Sequence, residues 1–178
     1  MQPSHALHRF RIAMGSFIAG LVVSGITAFP LLWEVKLLTR MLGLGGATSA
    51  AGHEGLAHWL LTIRFGLEQA YMQHPWIAYG TDWLGFGHLV IALFFIGPLI
   101  DPPSGRGNIF VGLAACAGVL PLALIAGAVR GVPLASRLID CSFGVLGGLL
   151  LLYCLRLLPA IEAEARRKNG AFAAPPLC

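Results

Sequence analysis

The chain has 178 residues, of which 57% are hydrophobic and 11% are charged, and its formal net charge is +4. Soluble domains carry about 25% charged residues, so a soluble fold could not cover this much apolar surface. The basic residues are scattered along the chain, which excludes the clustered Lys and Arg of a nucleic-acid-binding surface. The composition predicts a single-domain integral membrane protein whose main partner is the lipid bilayer.

Four apolar runs have the roughly 20 residues that a helix needs to cross the hydrocarbon core of a bilayer. They lie at about 12–33, 83–100, 109–129 and 134–158. Asp82 and Asn108 precede the second and third runs as candidate N-caps, and Pro133 suits the first turn of the fourth. The sequence predicts an all-α membrane protein, a bundle of four transmembrane helices, followed by a charged tail at 159–178.

The first run has a rival interpretation as a secretory signal peptide, because Arg9 and Arg11 precede it. The run is longer than the apolar region of a signal peptide. Its exit, Ser-Gly-Ile-Thr-Ala-Phe-Pro, contains no small-x-small cleavage site. These features favour a first span that is retained in the mature protein.

The loop after the first run contains a segment at about 54–73 that is too polar to span a membrane. Its large apolar residues recur at helical spacing: Leu56, Trp59, Leu60, Ile63, Leu67 and Tyr71. Such spacing is typical of an amphipathic helix. We expect this helix to lie on the membrane surface or to cap the bundle.

The distribution of Lys and Arg predicts the orientation of the chain. With the N-terminus inside, the inner side carries Arg9, Arg11, Arg106, Arg156, Arg166, Arg167 and Lys168. The outer side then carries Lys36, Arg40, Arg64, Arg130 and Arg137. The inner side thus carries seven positive residues and the outer side five. This difference favours cytoplasmic N- and C-termini, since positive residues concentrate on the inner side.

Small residues mark the faces along which the spans are expected to pack, because they let membrane helices approach closely. The predicted helix-packing positions are Gly20, Ser24, Gly85, Gly144 and Gly148. Gly144 and Gly148 are four residues apart and therefore share one face of the fourth span.

Ionisable residues gather at one end of the predicted bundle, because consecutive spans run up and down. This predicted polar cluster consists of Glu34, Asp82, His88, Arg130, Arg137 and Asp140. His88 lies about 9 Å deeper than Asp82, at a depth similar to that of Asp140. The cluster has two interpretations: a polar pocket for binding or acid–base chemistry, or a network of ion pairs that pins the helices together.

Two cofactor hypotheses are weaker than this cluster. His53-Glu54 and His58 resemble the H-E-x-x-H zinc motif, but the histidines are five residues apart instead of four and point in different directions. His88 is the only His in the four predicted runs, so a haem between spans would lack a second axial ligand. Neither a metal site nor haem is favoured, and the cofactor stays undetermined.

Four segments of the chain are similar to small bacterial four-span membrane proteins that carry no assigned function. These segments are SGITAFP (24–30), YGTDWLGFGH (79–88), FFIGPLIDP (94–102) and RLIDCSFG (137–144). The resemblance implies a location in the bacterial inner membrane and implies no substrate or active residue.

The small-residue faces, and the lack of any recognised catalytic motif in the sequence, favour an accessory, assembly or anchoring subunit of a larger membrane complex. Its expected partners are other membrane-protein subunits. The alternative is a membrane-embedded enzyme, or a protein that binds an ion or small molecule in the polar pocket. The sequence favours a protein that is not an enzyme, and an enzyme stays the alternative.

Overall fold

A computed structural model of the chain describes residues 5–172, with the side chains of residues 5–167. Helices and turns account for this range, which contains no strand. The helices in chain order are α1 (His5–Ala28), α2 (Leu31–Met41), α3 (Gly55–Gln73), α4 (Ala78–Phe94), α5 (Ile96–Ile100), α6 (Arg106–Pro121), α7 (Gly127–Val129) and α8 (Leu134–Phe172). A 3₁₀ turn, Pro75–Ile77, precedes α4, and a π-helical turn, Leu122–Ala126, joins α6 to α7.

Four helical segments are long and apolar enough to cross a membrane: His5–Ala28, Pro75–Ile100, Arg106–Val129 and Leu134–Arg167. A further helix, α3, occupies the loop between the first two of these segments. The predicted fold class is thereby confirmed: an all-α membrane protein with four spanning helices and an additional amphipathic helix in the first loop.

The first span ends earlier than the hydrophobic run from which it was predicted. The helix stops at Ala28, and α2 begins at Leu31. Pro30 causes this break, because it has no backbone N–H to continue the helix and its ring crowds the preceding turn. Glu34 therefore lies in the first turn of a separate helix and not at the end of the span.

The fourth span continues as one helix through the charged tail as far as Phe172. The tail residues Ala, Glu and Arg are strong helix formers. Glu162 and Arg166, one turn apart, form an ion pair with 3.6 Å between Oε2 and Nη2. Residues 173–178, including Cys178, and the side chain of Lys168 lie outside the described residues.

The described residues form two compact units. The first unit comprises residues up to Gly20 and from Ala92 onward, and the second comprises Leu21–Ile91. The core of the first unit contains fully buried Phe10, Met14, Ile109, Leu151 and Leu158. In the same core the Phe17 and Phe95 rings meet edge to face, with 4.8 Å between their centroids.

The third and fourth spans approach closely within the first unit because glycine lines the contact. A Cβ atom at Gly144 would lie only 2.7 Å from the carbonyl oxygen of Cys116. A Cβ atom at Gly112 would lie 2.7 Å from Leu151 and 2.8 Å from the Phe95 ring. The two helices thus pack nearly backbone to backbone, as small residues permit in membranes.

The second unit has an equivalent contact between the end of α1 and α4. A Cβ atom at Gly25 would lie 2.9 Å from the carbonyl oxygen of Gly85, and one at Gly85 would lie 2.7 Å from that of Gly25. The ring of Phe29 closes over Gly85, 2.8 Å from the same Cβ position.

A side-chain hydrogen bond repairs a proline break at the end of the second span. In a regular helix the Phe94 carbonyl would accept a hydrogen bond from the N–H of residue 98, but Pro98 has no N–H. Nδ2–H of Asn108 donates to the Phe94 carbonyl instead, at 2.8 Å. The tight turn before Asn108 brings Gly105 against Pro98, where a Cβ atom would lie 2.5 Å from the proline Cβ.

Replacing Asn108 with alanine is expected to destabilise the protein by about 1 kcal/mol, because the Phe94 carbonyl then loses its donor. Thermal unfolding of the purified protein in mild detergent measures this change. Ser104→Ala is the matched control, since Oγ–H of Ser104 donates to the Asp101 carbonyl at 3.0 Å in an exposed turn. Equal effects of the two substitutions would contradict a special role for Asn108.

Candidate functional site

The residues of the predicted polar cluster are divided between the two units. Glu34, Asp82 and His88 belong to the second unit, and Arg130, Arg137 and Asp140 belong to the first. The meeting of His88 with Asp140 stays a prediction.

In the second unit, His88 is half-buried and is held by its own helix. Nδ1–H of His88 donates to the carbonyl of Leu84 at 2.8 Å. Because a carbonyl only accepts, Nδ1 carries the proton, and Nε2 of the neutral ring is the basic nitrogen. Glu34 and Asp82 are also half-buried, and no ion pair within the described part of this unit includes either of them.

In the first unit, Arg137 forms a hydrogen bond with the backbone of the third span. Nη1–H of Arg137 donates to the carbonyl of Leu124 at 3.2 Å, within the π-helical turn. The Arg137 side chain passes over Gly127, whose Cβ position would lie 2.8 Å from Cδ of the arginine. Nε of Arg137 is buried without a hydrogen-bond partner. The arginine therefore supports an irregular helical turn, a contact that the sequence did not predict.

The other two members of the first unit, Arg130 and Asp140, are both exposed. Within the described residues of that unit, no ion pair joins Asp140 to Arg130 or Arg137. Asp140 follows Arg137 by three residues on α8, so the two lie on neighbouring faces of one helix.

The predicted helix-packing residues occupy different environments. Gly85 and Gly144 lie at the close contacts described above, and a Cβ atom at Gly148 would make an ordinary 3.7 Å contact with Cβ of Cys116. In the described part of the chain, no atom outside its own helical turn lies within 4 Å of the Cβ position of Gly20. Ser24 is half-buried, and its neighbour Gly25 makes the close contact.

A charged cluster that the sequence analysis did not identify joins α2 to α3. We call Lys36, Arg64 and Glu68 the Glu68 cluster. Oε1 of Glu68 lies 3.2 Å from Nζ of Lys36 and accepts a hydrogen bond from Nε–H of Arg64 at 3.2 Å. Arg64 and Glu68 are four residues apart on one helix, a spacing that predicts their pairing. Lys36 lies on another helix, and no sequence spacing indicates it.

The surroundings of Glu68 change its acidity in opposite directions. Partial burial raises the pKa of Glu68, whereas the hydrogen bonds and positive charges of Lys36 and Arg64 lower it. The favourable contacts prevail, and the pKa lies below its ordinary value of 4.5. The ionised carboxylate therefore stabilises the packing of α2 on α3.

Because the pKa of Glu68 is lowered, acidic pH is expected to destabilise the packing of α2 on α3 in the loop between the first two spans. Because the folded pKa of Glu68 is depressed, its contribution to stability is present above the unfolded pKa of about 4.5 and is lost as the pH falls through the folded value. Glu68→Gln should lower the free energy of unfolding by about 0.5–1 kcal/mol at pH 7. It should also make the unfolding midpoint less dependent on pH. Exposed Glu54 provides the control, and a Glu54→Gln variant that reproduced both effects would contradict the assignment.

The histidines near the start of α3 do not assemble a metal site. Nδ1–H of His58 donates to the carbonyl of Ala50 at 3.0 Å, while Nδ1 of His53 is buried without a partner. Among residues 5–172, no three His, Cys, Asp or Glu side chains are placed to hold a metal ion.

Comparison of the chain with family models, with curated proteins and with solved structures gave no match.

Proposed function

We propose that this protein is an accessory subunit that assembles with, or anchors, other proteins in a membrane. One observation carries the proposal: the described part of the chain buries only a small share of the residues of its own spans. In each of the four spans, between 17% and 22% of the most apolar 18-residue window is buried. Lipid or the helices of another chain must cover the remainder.

The third span offers the face best suited to another helix. Its opposite face packs on α8, while Ala114, Gly118 and Pro121 are exposed. Apart from its own helical turn, no atom of the described residues lies within 4 Å of the Cβ position of Gly118. Small residues in this position favour close contact with a neighbouring membrane helix over contact with lipid alone.

The open space at Gly118 allows a substitution that separates assembly from folding. Gly118→Leu adds bulk where the chain itself has room, so the thermal stability of the purified protein should stay unchanged. Assembly through this face should weaken by roughly tenfold or more, since extra bulk in a packed contact costs about 1–3 kcal/mol and 1.4 kcal/mol is a factor of about ten in affinity. Affinity purification of the tagged full chain from its native membranes in mild detergent, with quantification of co-purifying proteins, measures this loss.

Gly118→Ala is the matched control, because it keeps a small side chain at the same position and should retain the partners. Partners that bind the wild type, Gly118→Ala and Gly118→Leu equally would overturn assembly through this face. A wild-type chain that purifies alone from mild detergent would count against the subunit function as a whole.

We further propose a location in the bacterial inner membrane with both termini cytoplasmic, which the Lys and Arg distribution supports. A green fluorescent protein fused to the C-terminus should fluoresce, and alkaline phosphatase fused there should be inactive. The reverse pattern would overturn this orientation.

A further inference from the structure

Helix α2 presents an apolar face that the described protein leaves uncovered. Trp33, Leu37 and Met41, each four residues from the next, have exposed fractions of 62%, 40% and 77%. Residues at this spacing share one helix face. We call these three residues the α2 apolar face; neighbouring Leu38 is also exposed.

The other side of α2 is occupied by α3. Lys36 forms its ion pair with Glu68 there. Thr39 is fully buried, and its hydroxyl donates to the carbonyls of Val35 and Lys36 at 3.0 and 2.9 Å. In contrast to α2, α3 has its central apolar residues Leu60 and Leu61 buried. Leu56 and Met72, near the two ends of α3, are exposed as well, but the run of exposed apolar residues that follows one helix face belongs to α2.

The position of α2 in the chain indicates whether this face contacts water or lipid. The first span ends at Ala28, three residues before α2 begins, and the second span begins at Pro75, two residues after α3 ends. The α2–α3 pair is thus tethered at both ends to the level at which spans leave the hydrocarbon. Trp is enriched at that level because its ring is apolar and its N–H is polar.

We infer that the α2 apolar face is inserted in the bilayer, at the boundary between headgroups and acyl chains, so that α2 lies in the plane of the membrane. An amphipathic helix in this position buries its apolar side by several ångströms and keeps its polar side outside. Buried Thr39 then lies on the side away from the acyl chains, and Lys36, which pairs with Glu68 of α3, lies at the edge of the inserted face.

The charges of the α2–α3 segment indicate what kind of lipid it requires. Between residues 31 and 73, three basic residues, Lys36, Arg40 and Arg64, balance three acidic residues, Glu34, Glu54 and Glu68. Attraction to anionic lipid needs an excess of positive charge near the surface. Insertion of α2 therefore depends on apolar burial, and neutral phosphatidylcholine should support it as well as an anionic mixture does.

Quenching of tryptophan fluorescence by brominated lipids tests this inference with the full chain in phosphatidylcholine vesicles. The wild-type chain is compared with Trp33→Phe, and the fluorescence that disappears with the substitution reports on Trp33. This fluorescence should be quenched by lipids brominated near the headgroup at least twice as strongly as by lipids brominated near the chain end. Addition of anionic lipid or of salt should change the ratio little.

Trp59, which is half-buried on α3, is the matched control. The fluorescence lost in Trp59→Phe should show weaker quenching by either lipid. Circular dichroism verifies that each single substitution preserves the helix content. A second measurement moves the reporter along the helix: in Trp33→Phe/Leu37→Trp, the new indole should show the same depth as Trp33, since an in-plane helix keeps both at one level.

Three outcomes would overturn the inference. Absence of quenching at every lipid-to-protein ratio would show that protein covers the face. Quenching that appears only on dilution with lipid would identify a second copy of the chain as the occupant. A depth that differs by several ångströms between the indoles at 33 and 37 would show a helix that enters the bilayer steeply. None of these results bears on the Gly118 face, so the proposed function is tested separately.

Discussion

Replacing Gly144 with alanine is expected to lower the free energy of unfolding by about 2–3 kcal/mol, as overpacking of a tight contact does. The new methyl group would lie 2.7 Å from the carbonyl oxygen of Cys116 and 3.1 Å from Cβ of Val119. A carbonyl fixed in helix α6 cannot rotate away as a flexible side chain can. The third and fourth spans must therefore separate or change their crossing, and the core between them loses contacts.

Gly148→Ala is the control for this prediction, because it adds the same methyl one turn further along the same helix. The nearest atom there is Cβ of Cys116 at 3.7 Å, an ordinary van der Waals distance. Alanine is a better helix former than glycine, so this variant should be as stable as the wild type or slightly more stable. Titration with a denaturing detergent, followed by circular dichroism, compares the two. Equal stability of both variants would show that the close contact at Gly144 is absent.

Gly85→Ala is expected to produce an effect of similar size in the second unit, about 2 kcal/mol. The added methyl would lie 2.7 Å from the Gly25 carbonyl oxygen and 2.8 Å from the Phe29 ring. The ring can shift but the carbonyl cannot, so the end of α1 must move away from α4. Since Phe29 lies just before Pro30, this displacement should also disturb the start of α2.

Gly87→Ala, two residues further along α4, supplies the comparison because, among the residues that the structure describes, no atom beyond its own helical turn lies within 4 Å of its Cβ position. The difference between the two unfolding midpoints isolates the contact from the change in helix propensity. Gly20→Ala extends the test to a residue predicted to pack, and its open surroundings predict no loss of stability. Destabilisation by Gly20→Ala without destabilisation by Gly85→Ala would contradict the observed packing of the first span.

Hydrophobicity located the spans but not their ends. The first run continues in apolar residues through Pro30 to Trp33, although the helix stops at Ala28. Hydropathy measures transfer into lipid, residue by residue, whereas the end of a helix depends on which backbone N–H groups can bond. Pro30 in the sequence indicates where the first span ends, because a helix usually ends at or before the residue that precedes a proline.

The packing residues of the first span illustrate a second difficulty. The periodicity of small residues selected Gly20 and Ser24, but Gly25 makes the close contact with Gly85. Adjacent residues on a helix differ by about 100° in direction. A helix with several small residues has several possible packing faces, and the choice depends on the helix that it meets.

The polar contacts show the same dependence on partners. The spacing of Arg64 and Glu68 predicts their ion pair, whereas Lys36 reaches Glu68 only because α2 packs on α3. Arg137 donates to the Leu124 carbonyl, a partner on another helical segment that no sequence spacing indicates. Proline chemistry anticipates an orphan carbonyl at Phe94, but the choice of Asn108 as its donor requires the turn between the spans.

The sequence by itself determined that this chain is helical, that it belongs in a membrane and that four of its segments can span it. These properties follow from sums over local composition, because the cost of placing each residue in lipid is nearly independent of its distant neighbours. Only the tertiary structure decided how α2 packs on α3, which glycines make close contacts, and which donors bind Glu68 and the Phe94 carbonyl. Those features depend on how each helix is rotated about its axis, and that rotation is set by van der Waals contact and hydrogen bonding between segments far apart in the chain.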